Sequence, residues 1–360
     1  MSLETDPRMR PDLLAALKPL QMAINADAPP MDRKDTAAIE ALNKQFSENM
    51  VTLYETLPND LPGDDLEAAL DESEITIDGQ DGNKIKLYIR KPKNASTPLP
   101  AVLYIHGGGM TILNTAAKHH LRWIKSFALQ GVVAMAVDFR NAWTLNGRNP
   151  FPAGLNDCAA AVKYIHAHKS SLGISHLILQ GESGGANLSI ATTIKANREG
   201  WVDAIAGIYA LVPYIAGPEG FGWDEAKRLE VLPSLVENNG YFLHTNLMDA
   251  MGYYYHPVDS DLTNPLAWPY HAKVEDLKGL PPFVVCVDEL DPLRDEGKAF
   301  LKKLIQAGVR ASGEMNLGIV HGSEMISRKA IPDMYEKTVR GIVGFAKGLG
   351  EKREVEGLKI

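Results

Sequence analysis

Five stretches of almost unbroken apolar character, "LPAVLYIHGGG", "GVVAMAVDFR", "HLILQGES", "AIAGIYALVP" and "PPFVVCVDELD", recur along this 360-residue chain, separated by segments with helical spacing. A strand with one face in water alternates apolar and polar residues, whereas a strand covered on both faces reads apolar throughout. The chain is therefore expected to build an α/β fold, a mostly parallel central sheet flanked by helices, with its functional loops at the carboxyl ends of the strands. Two earlier stretches, "SEITIDG" and "NKIKLYIRKP", do alternate, and "QDGN" between them reads as a hairpin turn.

Two regions fall outside this alternation. Residues 1–72 are polar and helix-forming, broken by "DAPPMD" and "LPNDLPGDD", and carry no convincing strand. Residues 214–268 are rich in aromatics, helical in part, and end in a proline-bearing loop. The expected organisation is thus a main unit of residues 73–213 and 269–360, with 1–72 as an accessory N-terminal helical layer and 214–268 as an insertion. An insertion at that point would cover the active end of the sheet.

Within "LILQGESGGANLSIA", Gly181, Glu182, Ser183, Gly184 and Gly185 form the pattern G-x-S-x-G. Its chemistry depends on context: a strand must run into the serine and a helix must leave it, so that the hydroxyl stands exposed on a strained turn. "HLILQ" before it and the helical stretch ending at Gly200 supply that context. The outer glycines are needed because so sharp a turn brings strand and helix backbones too close for larger side chains. Upstream, Tyr104, Ile105, His106, Gly107, Gly108 and Gly109 end another buried strand. Glycines there let backbone N–H groups approach a developing oxyanion without an intervening Cβ. No lysine follows in a G-K-[ST] arrangement, which argues against a phosphate loop.

Charge narrows the partners. The net charge is -8 and no lysine or arginine run is long enough to form a basic stripe, so neither nucleic acid nor an anionic membrane is an expected partner. No window approaches the 18 or so apolar residues of a membrane span, and "MSLETDPRMRPDLLAALKPLQ" lacks the features of a signal peptide, so the chain reads as cytoplasmic. Cys158 and Cys286 each lie in an apolar stretch and are expected as packed, reduced thiols.

"YIHGGG" followed by "GESGG" resembles the hormone-sensitive-lipase-type esterases of the α/β-hydrolase superfamily, and the likeness extends over most of residues 75–350. "VDFRNA" with "FPAGLNDCAAAVKYI", "DELDPLRDEGKAFLKKLIQAG" and "GIVHGSE" resemble the family's linking, acid-bearing and histidine segments. The resemblance implies an α/β-hydrolase fold with a two-part cap, a serine esterase without cofactor or metal, and a small-molecule ester as substrate. It also implies the chain order nucleophile, acid, histidine. Of His244, His256, His271 and His321, only His321 follows the candidate acids Asp288, Glu289, Asp291 and Asp295. Asp291 matches the family's D-P-L-x-D position and precedes Pro292, which commits the chain to a turn. Asp288 is the substitute, and Asp295 has an alternative as a first-turn charge on a helix dipole. The expected triad is Ser183, Asp291 and His321, with the N–H groups of Gly108, Gly109 and Gly184 as oxyanion donors.

Gly184 stands where the family often has alanine, which implies a looser turn. Gly107 is expected to serve the turn, Glu182 to make a polar contact near the triad, and His106 to order its loop. Arg140 and Asp157 could pair to brace the nucleophile region. His119 and His120, being adjacent, are expected to point in different directions. Trp223, Tyr253, Tyr254 and Tyr255 could line an acyl or aryl pocket or pack the cap. The expected function is hydrolysis of small to medium acyl or aryl esters, with amide or lactone hydrolysis, or a non-catalytic receptor on the same fold, as alternatives. The family often forms dimers, so a homodimer is the possible assembly.

Overall fold

The computed structural model describes residues 2–23, 31–56, 69–93, 95, 98–256 and 258–350. Its strands are β1 (Leu70–Asp78), β2 (Lys84–Pro92), β3 (Leu99–Ile105), β4 (Val133–Asp138), β5 (Trp143–Thr144), β6 (Gly147–Arg148), β7 (Ile174–Glu182), β8 (Gly207–Leu211), β9 (Phe283–Asp288) and β10 (Ala311–Asn316). Eight of them form one sheet in the order β1-β2-β4-β3-β7-β8-β9-β10, while β5 and β6 make a separate two-stranded ribbon. β1, β2 and β4 pair antiparallel, and every pairing from β4 across to β10 is parallel. The first strand starts at Leu70, slightly ahead of the expected boundary at residue 73.

The helices are α1 (Pro11–Leu17), α2 (Thr36–Thr56), α3 (Lys118–Leu129), α4 (Ala153–Ala167), α5 (Lys169–Leu172), α6 (Gly184–Glu199), α7 (Gly217–Phe221), α8 (Glu225–Val231), α9 (Ser234–Glu237), α10 (Thr245–Tyr255), α11 (Arg294–Gln306), α12 (Ser323–Ile326) and α13 (Pro332–Gly350). The apolar runs now have their cause. In β3, Ala101, Leu103 and Ile105 join the core shared with α4, α6 and α11, whereas Val102 and Tyr104 join the core shared with α3 and α13. A central strand such as β3 thus feeds two cores with period two, which is why it reads apolar throughout.

A third, smaller core is where the chain's beginning meets the sheet's active end. Leu3, Met9, Leu13 and Leu17 pack on Leu290, Ile319 and Val320, the last two lying just before His321. Arg10 donates its N–H to the carbonyl of Gly318 at 2.9 Å. Residues 214–256 contain only helices and loops, as their composition implies. Among the described residues no helix is long and apolar enough to cross a membrane.

Candidate active site

β7 runs directly into α6 through Ser183, whose backbone sits at φ 55° and ψ -120°. A non-glycine residue rarely holds that conformation, and the surroundings must enforce it. Here Ser183 N–H donates to Leu211 O at 3.0 Å, and its carbonyl accepts from Tyr214 N–H at 3.2 Å. A Cβ on Gly181 would lie 2.2 Å from the carbonyl oxygen of Gly185, and one on Gly185 would lie 1.9 Å from that of Ile105. Both outer glycines are therefore steric necessities of the turn.

The loop after β3 wraps the serine from the other side. Gly108 and Gly109 have φ 88° and 60°. Among the described residues no group accepts a hydrogen bond from either N–H, and Gly184, as the first residue of α6, has no intrahelical acceptor for its own. Gly107 differs, because its N–H is committed to Glu182 Oε1 at 2.6 Å. Tyr104 donates to the same oxygen at 2.9 Å. Burial pushes the Glu182 carboxyl up to about 8, against the opposing pull of these two donors. A turn looser at Gly184 does not result: a Cβ there would lie 2.5 Å from Met110 N and 2.9 Å from two Gly109 atoms. The glycine lets the loop close onto the helix start, so the missing methyl is filled by backbone.

His106 is buried and stacks on Phe139 and His120 at centroid distances of 4.5 and 5.0 Å. Desolvation pulls its imidazole down to about 4, leaving it neutral and suited to ordering its loop. His119 and His120 do not diverge as their adjacency suggested; their rings lie 3.9 Å apart, His120 held by the carbonyl of Asn114 at 2.8 Å and His119 packed on Tyr54 of α2. Arg140 and Asp157 do pair, through Nη2 and Oδ1 at 2.8 Å, joining the end of β4 to α4.

His321 follows β10, and its Nδ1 lies 2.7 Å from Asp291 Oδ2. The other Asp291 oxygen accepts from Leu293 N–H at 2.9 Å. Asp288 does not face the imidazole; it accepts from Gly322 N–H at 2.9 Å and from Asn316 Nδ2 at 3.0 Å. Asp295 turns away to Arg294, Lys298 and Ser234; burial alone would raise its carboxyl, but these donors hold it well below the usual range. Of the other histidines, His256 accepts from Trp268 at 3.0 Å and His271 lies 2.9 Å from the carbonyl of Ala216.

Ser183 and His321 line one cavity, together with Gly107, Gly108 and Gly109. Glu182, His244 and Gly322 also border it, and its other walls are apolar: Phe46, Met50 and Tyr54 from α2; Ile112 and Leu113; Phe242, Leu243, Leu247, Met248 and Met251; and Met325 and Ile326. Trp223, Tyr253 and Tyr254 are not among these residues, which corrects the aromatic-pocket reading. Tyr254 donates to Glu40 at 3.0 Å, Tyr253 to Asp259 at 2.9 Å, and Trp223 packs on Tyr270. The physical reason is the direction of α10, which presents Leu247, Met248 and Met251 to the cavity and carries its tyrosines beyond it. The methionines gave no signal in the sequence apart from i, i+3, i+4 spacing, which any packed helix shows.

A mostly parallel sheet with a serine on the turn between its central strand and a helix, a carboxylate two strands away and a histidine paired to it three strands away, defines an α/β hydrolase. A family model described as alpha/beta hydrolase fold matches residues 102–325. A solved structure described as brefeldin A esterase, a bacterial homologue of human hormone sensitive lipase, superposes with a TM-score of 0.93 at 45% identity, covering 97% of this chain and 96% of that one. The esterase Est22 superposes with a TM-score of 0.83 at 35% identity, covering 97% and 100%. The arylesterase of Saccharolobus solfataricus is 28% identical over 305 residues, 81% of this chain and 89% of its own length. Carboxylesterase NlhH of Mycobacterium tuberculosis is 26% identical over 291 residues, 79% and 84%. The chain belongs to the α/β-hydrolase fold family, within its hormone-sensitive-lipase-type esterases.

Proposed function

We propose that this carboxylic-ester hydrolase works through Ser183, His321 and Asp291. Ser183 Oγ attacks the ester carbonyl while His321 takes its proton; the imidazolium then protonates the leaving alcohol, and water releases the acyl group by the same route in reverse. Asp291 holds the Nδ1 tautomer and stabilises the imidazolium. The N–H groups of Gly108, Gly109 and Gly184 stabilise the oxyanion. The observation that carries this reading is the 2.7 Å contact between His321 Nδ1 and Asp291 Oδ2, in a cavity that also holds the strained Ser183.

The described parts of residues 1–72 and the insertion 214–268 act as a cap over a catalytic unit of 73–213 and 269–360. Support comes from their joint contribution to the cavity and from the Arg33–Asp249 ion pair at 2.9 Å that ties one to the other. A cavity walled by leucine, phenylalanine and four methionines, side chains that repack readily, suits small to medium acyl or aryl esters over a range of sizes. The two free, buried cysteines support a cytoplasmic setting. β10 ends the sheet with Met315 exposed on it and Leu317 exposed just beyond, which supports a homodimer that light scattering would reveal.

Hydrolysis of p-nitrophenyl esters from acetate to decanoate, by wild type and Ser183→Ala side by side, tests the reaction. Turnover in the wild type and none in a folded Ser183→Ala is the expected result. Turnover surviving in the variant would remove Ser183 from the mechanism, and failure of the wild type on all of these esters would turn attention to amides and lactones.

A further inference from the structure

Three carboxyls, Asp288, Asp291 and Glu324, are fully buried around the loop that carries His321. Only Asp291 touches the imidazole, which leaves two buried acids that the mechanism above does not use. Asp288 closes β9 and Asn316 closes β10, and the two are partners in the parallel register. The Asn316 amide donates from Nδ2 to Asp288 Oδ1 at 3.0 Å and to Glu324 Oε1 at 3.1 Å, so one side chain bridges both acids. Asp288 Oδ2 takes the N–H of Gly322, the residue after His321, at 2.9 Å. Gly322 itself holds φ 65° and serves as the N-cap of the short α12 that bears Glu324.

We propose that Asp288 and Glu324 form a positioning pair for His321: Asp288 fixes the histidine loop through Gly322, and Glu324 supplies a carboxyl whose negative charge backs the imidazolium formed during catalysis. This rests on the hydrolase reading given above. Buried carboxyls this close cannot both ionise cheaply, and the proton they share belongs to the pair. The charged and titratable groups around them are Asp291 on the acid loop, His321 on the loop leading to Glu324, Cys286 on β9, Tyr209 on β8, Glu314 on β10, Lys337 on α13 and Glu182 on β7. Lys337 is the only permanent cation in this set, and its Nζ donates to Glu314 and to the side-chain Oδ1 of Asn316. Burial raises both acids, Asp288 further because Glu324 and Asp291 repel its charge, and Glu324 to about 7, held there in part by attraction to His321. Toward lower pH the pair holds its proton; as pH rises the pair gains charge next to the loop of a histidine that must become cationic.

Glu324→Gln keeps the shape and hydrogen-bonding reach of the protonated acid and removes the charge it gains above neutrality. The readout is the rate at which a fluorophosphonate labels Ser183, which needs an activated serine and no particular ester. The Gln variant is expected to label at the wild-type rate near pH 6 and to lag by roughly three- to tenfold near pH 8.5, the gap opening as Glu324 ionises. Asp288→Asn, which cannot accept from both Gly322 and Asn316 as the carboxylate does, is expected to label about tenfold more slowly at every pH. Should Asp288→Asn fail to fold, the Gln variant carries the test alone. A Gln variant that matches the wild type throughout, or lags by one constant factor, overturns the charge role. Wild-type protein that takes no label overturns the hydrolase reading beneath it.

Discussion

The floor and the roof of the cavity are built on different principles. On the floor, Gly181, Gly184, Gly185, Gly107, Gly108 and Gly109 hold backbone against backbone, with little room for a single added methyl at most of them. On the roof, Phe46, Met50, Phe242, Leu247, Met248 and Met251 meet as side chains on helices and loops, where volume matters more than identity. In the reading proposed above, the difference separates two properties: main-chain geometry holds the reacting groups in place, and exchangeable side chains set the range of substrates.

The largest effect is expected at the acid that pairs with His321 behind the floor. Asp291→Asn should lower kcat about 10⁴-fold with little change in KM, because an amide there favours the wrong histidine tautomer. Asp288→Asn should cost far less, since its carboxylate meets Gly322 and Asn316 rather than the ring. Steady-state kinetics on p-nitrophenyl acetate would decide between them, and a reversed ranking would move the acid to Asp288.

Gly184→Ala comes next. An alanine there would meet Met110 N at 2.5 Å and must push the Gly108–Gly109 loop outward. We expect kcat to fall by about 10²-fold, the scale of losing one well-aimed oxyanion donor, and thermal stability to fall with it by about 1 to 3 kcal/mol. An unchanged kcat would mean that the floor yields as readily as the roof.

Floor and roof are joined by a stack of rings, which a shift in pH should loosen. Tyr54 of α2 lies 3.9 Å from His119, His119 lies 3.9 Å from His120, and His120 lies 5.0 Å from His106 beside the glycines. Burial drags His119 from its ordinary 6.5 to about 3, with a smaller push from His106. The unfolded chain therefore binds a proton at His119 below pH 6.5 that the folded chain refuses until about 3, so this contribution to stability is whole above 6.5 and drains away as pH falls. The stability gap between wild type and His119→Phe should shift against the wild type by about 1.4 kcal/mol per pH unit below 6.5. Denaturant melts at pH 7 and pH 5 measure it; a constant gap would show that His119 titrates freely in the fold.

The same contrast explains what could be read from the sequence. Ser183, the glycine loop, His321 and the buried strands were legible because glycine spacing, unbroken apolar runs and chain order are properties of one dimension. Asp291 emerged over Asp288 by position next to Pro292 and by family resemblance, although only geometry shows which carboxylate faces the ring. β10 was not legible as a strand, because "ASGEMN" lies at the sheet edge with most of its side chains in water. The packing of Leu3, Met9 and Leu13 against the acid and histidine loops was equally hidden, since nothing local in residues 1–20 says which end of the sheet they cover. The roof was misread for a related reason: aromatic composition drew attention to Trp223, Tyr253 and Tyr254, whereas the direction of α10 exposes its methionines instead.

Substitution on the roof gives the smallest effects and the sharpest check on that last correction. Met251 reaches within 3.1 Å of where a Cβ on Gly109 would stand, so its side chain lies directly over the oxyanion loop and borders the reacting centre. Met251→Ala should leave kcat on the acetate ester within about threefold and raise kcat/KM for octanoate relative to acetate by about tenfold, since an apolar pocket discriminates by roughly 1 to 3 kcal/mol per methylene-sized change. Tyr253→Phe, which removes only the hydroxyl bonded to Asp259, should leave the whole chain-length profile within about twofold, as surface substitutions away from a site do. If Tyr253→Phe shifted the profile and Met251→Ala did not, the tyrosines would line the path that substrate takes and the methionine face of α10 would be mere packing. The expected opposite outcome would tie substrate range to three residues on one helix face and leave the floor untouched, which is the separation of reaction from range that the two halves of the cavity imply.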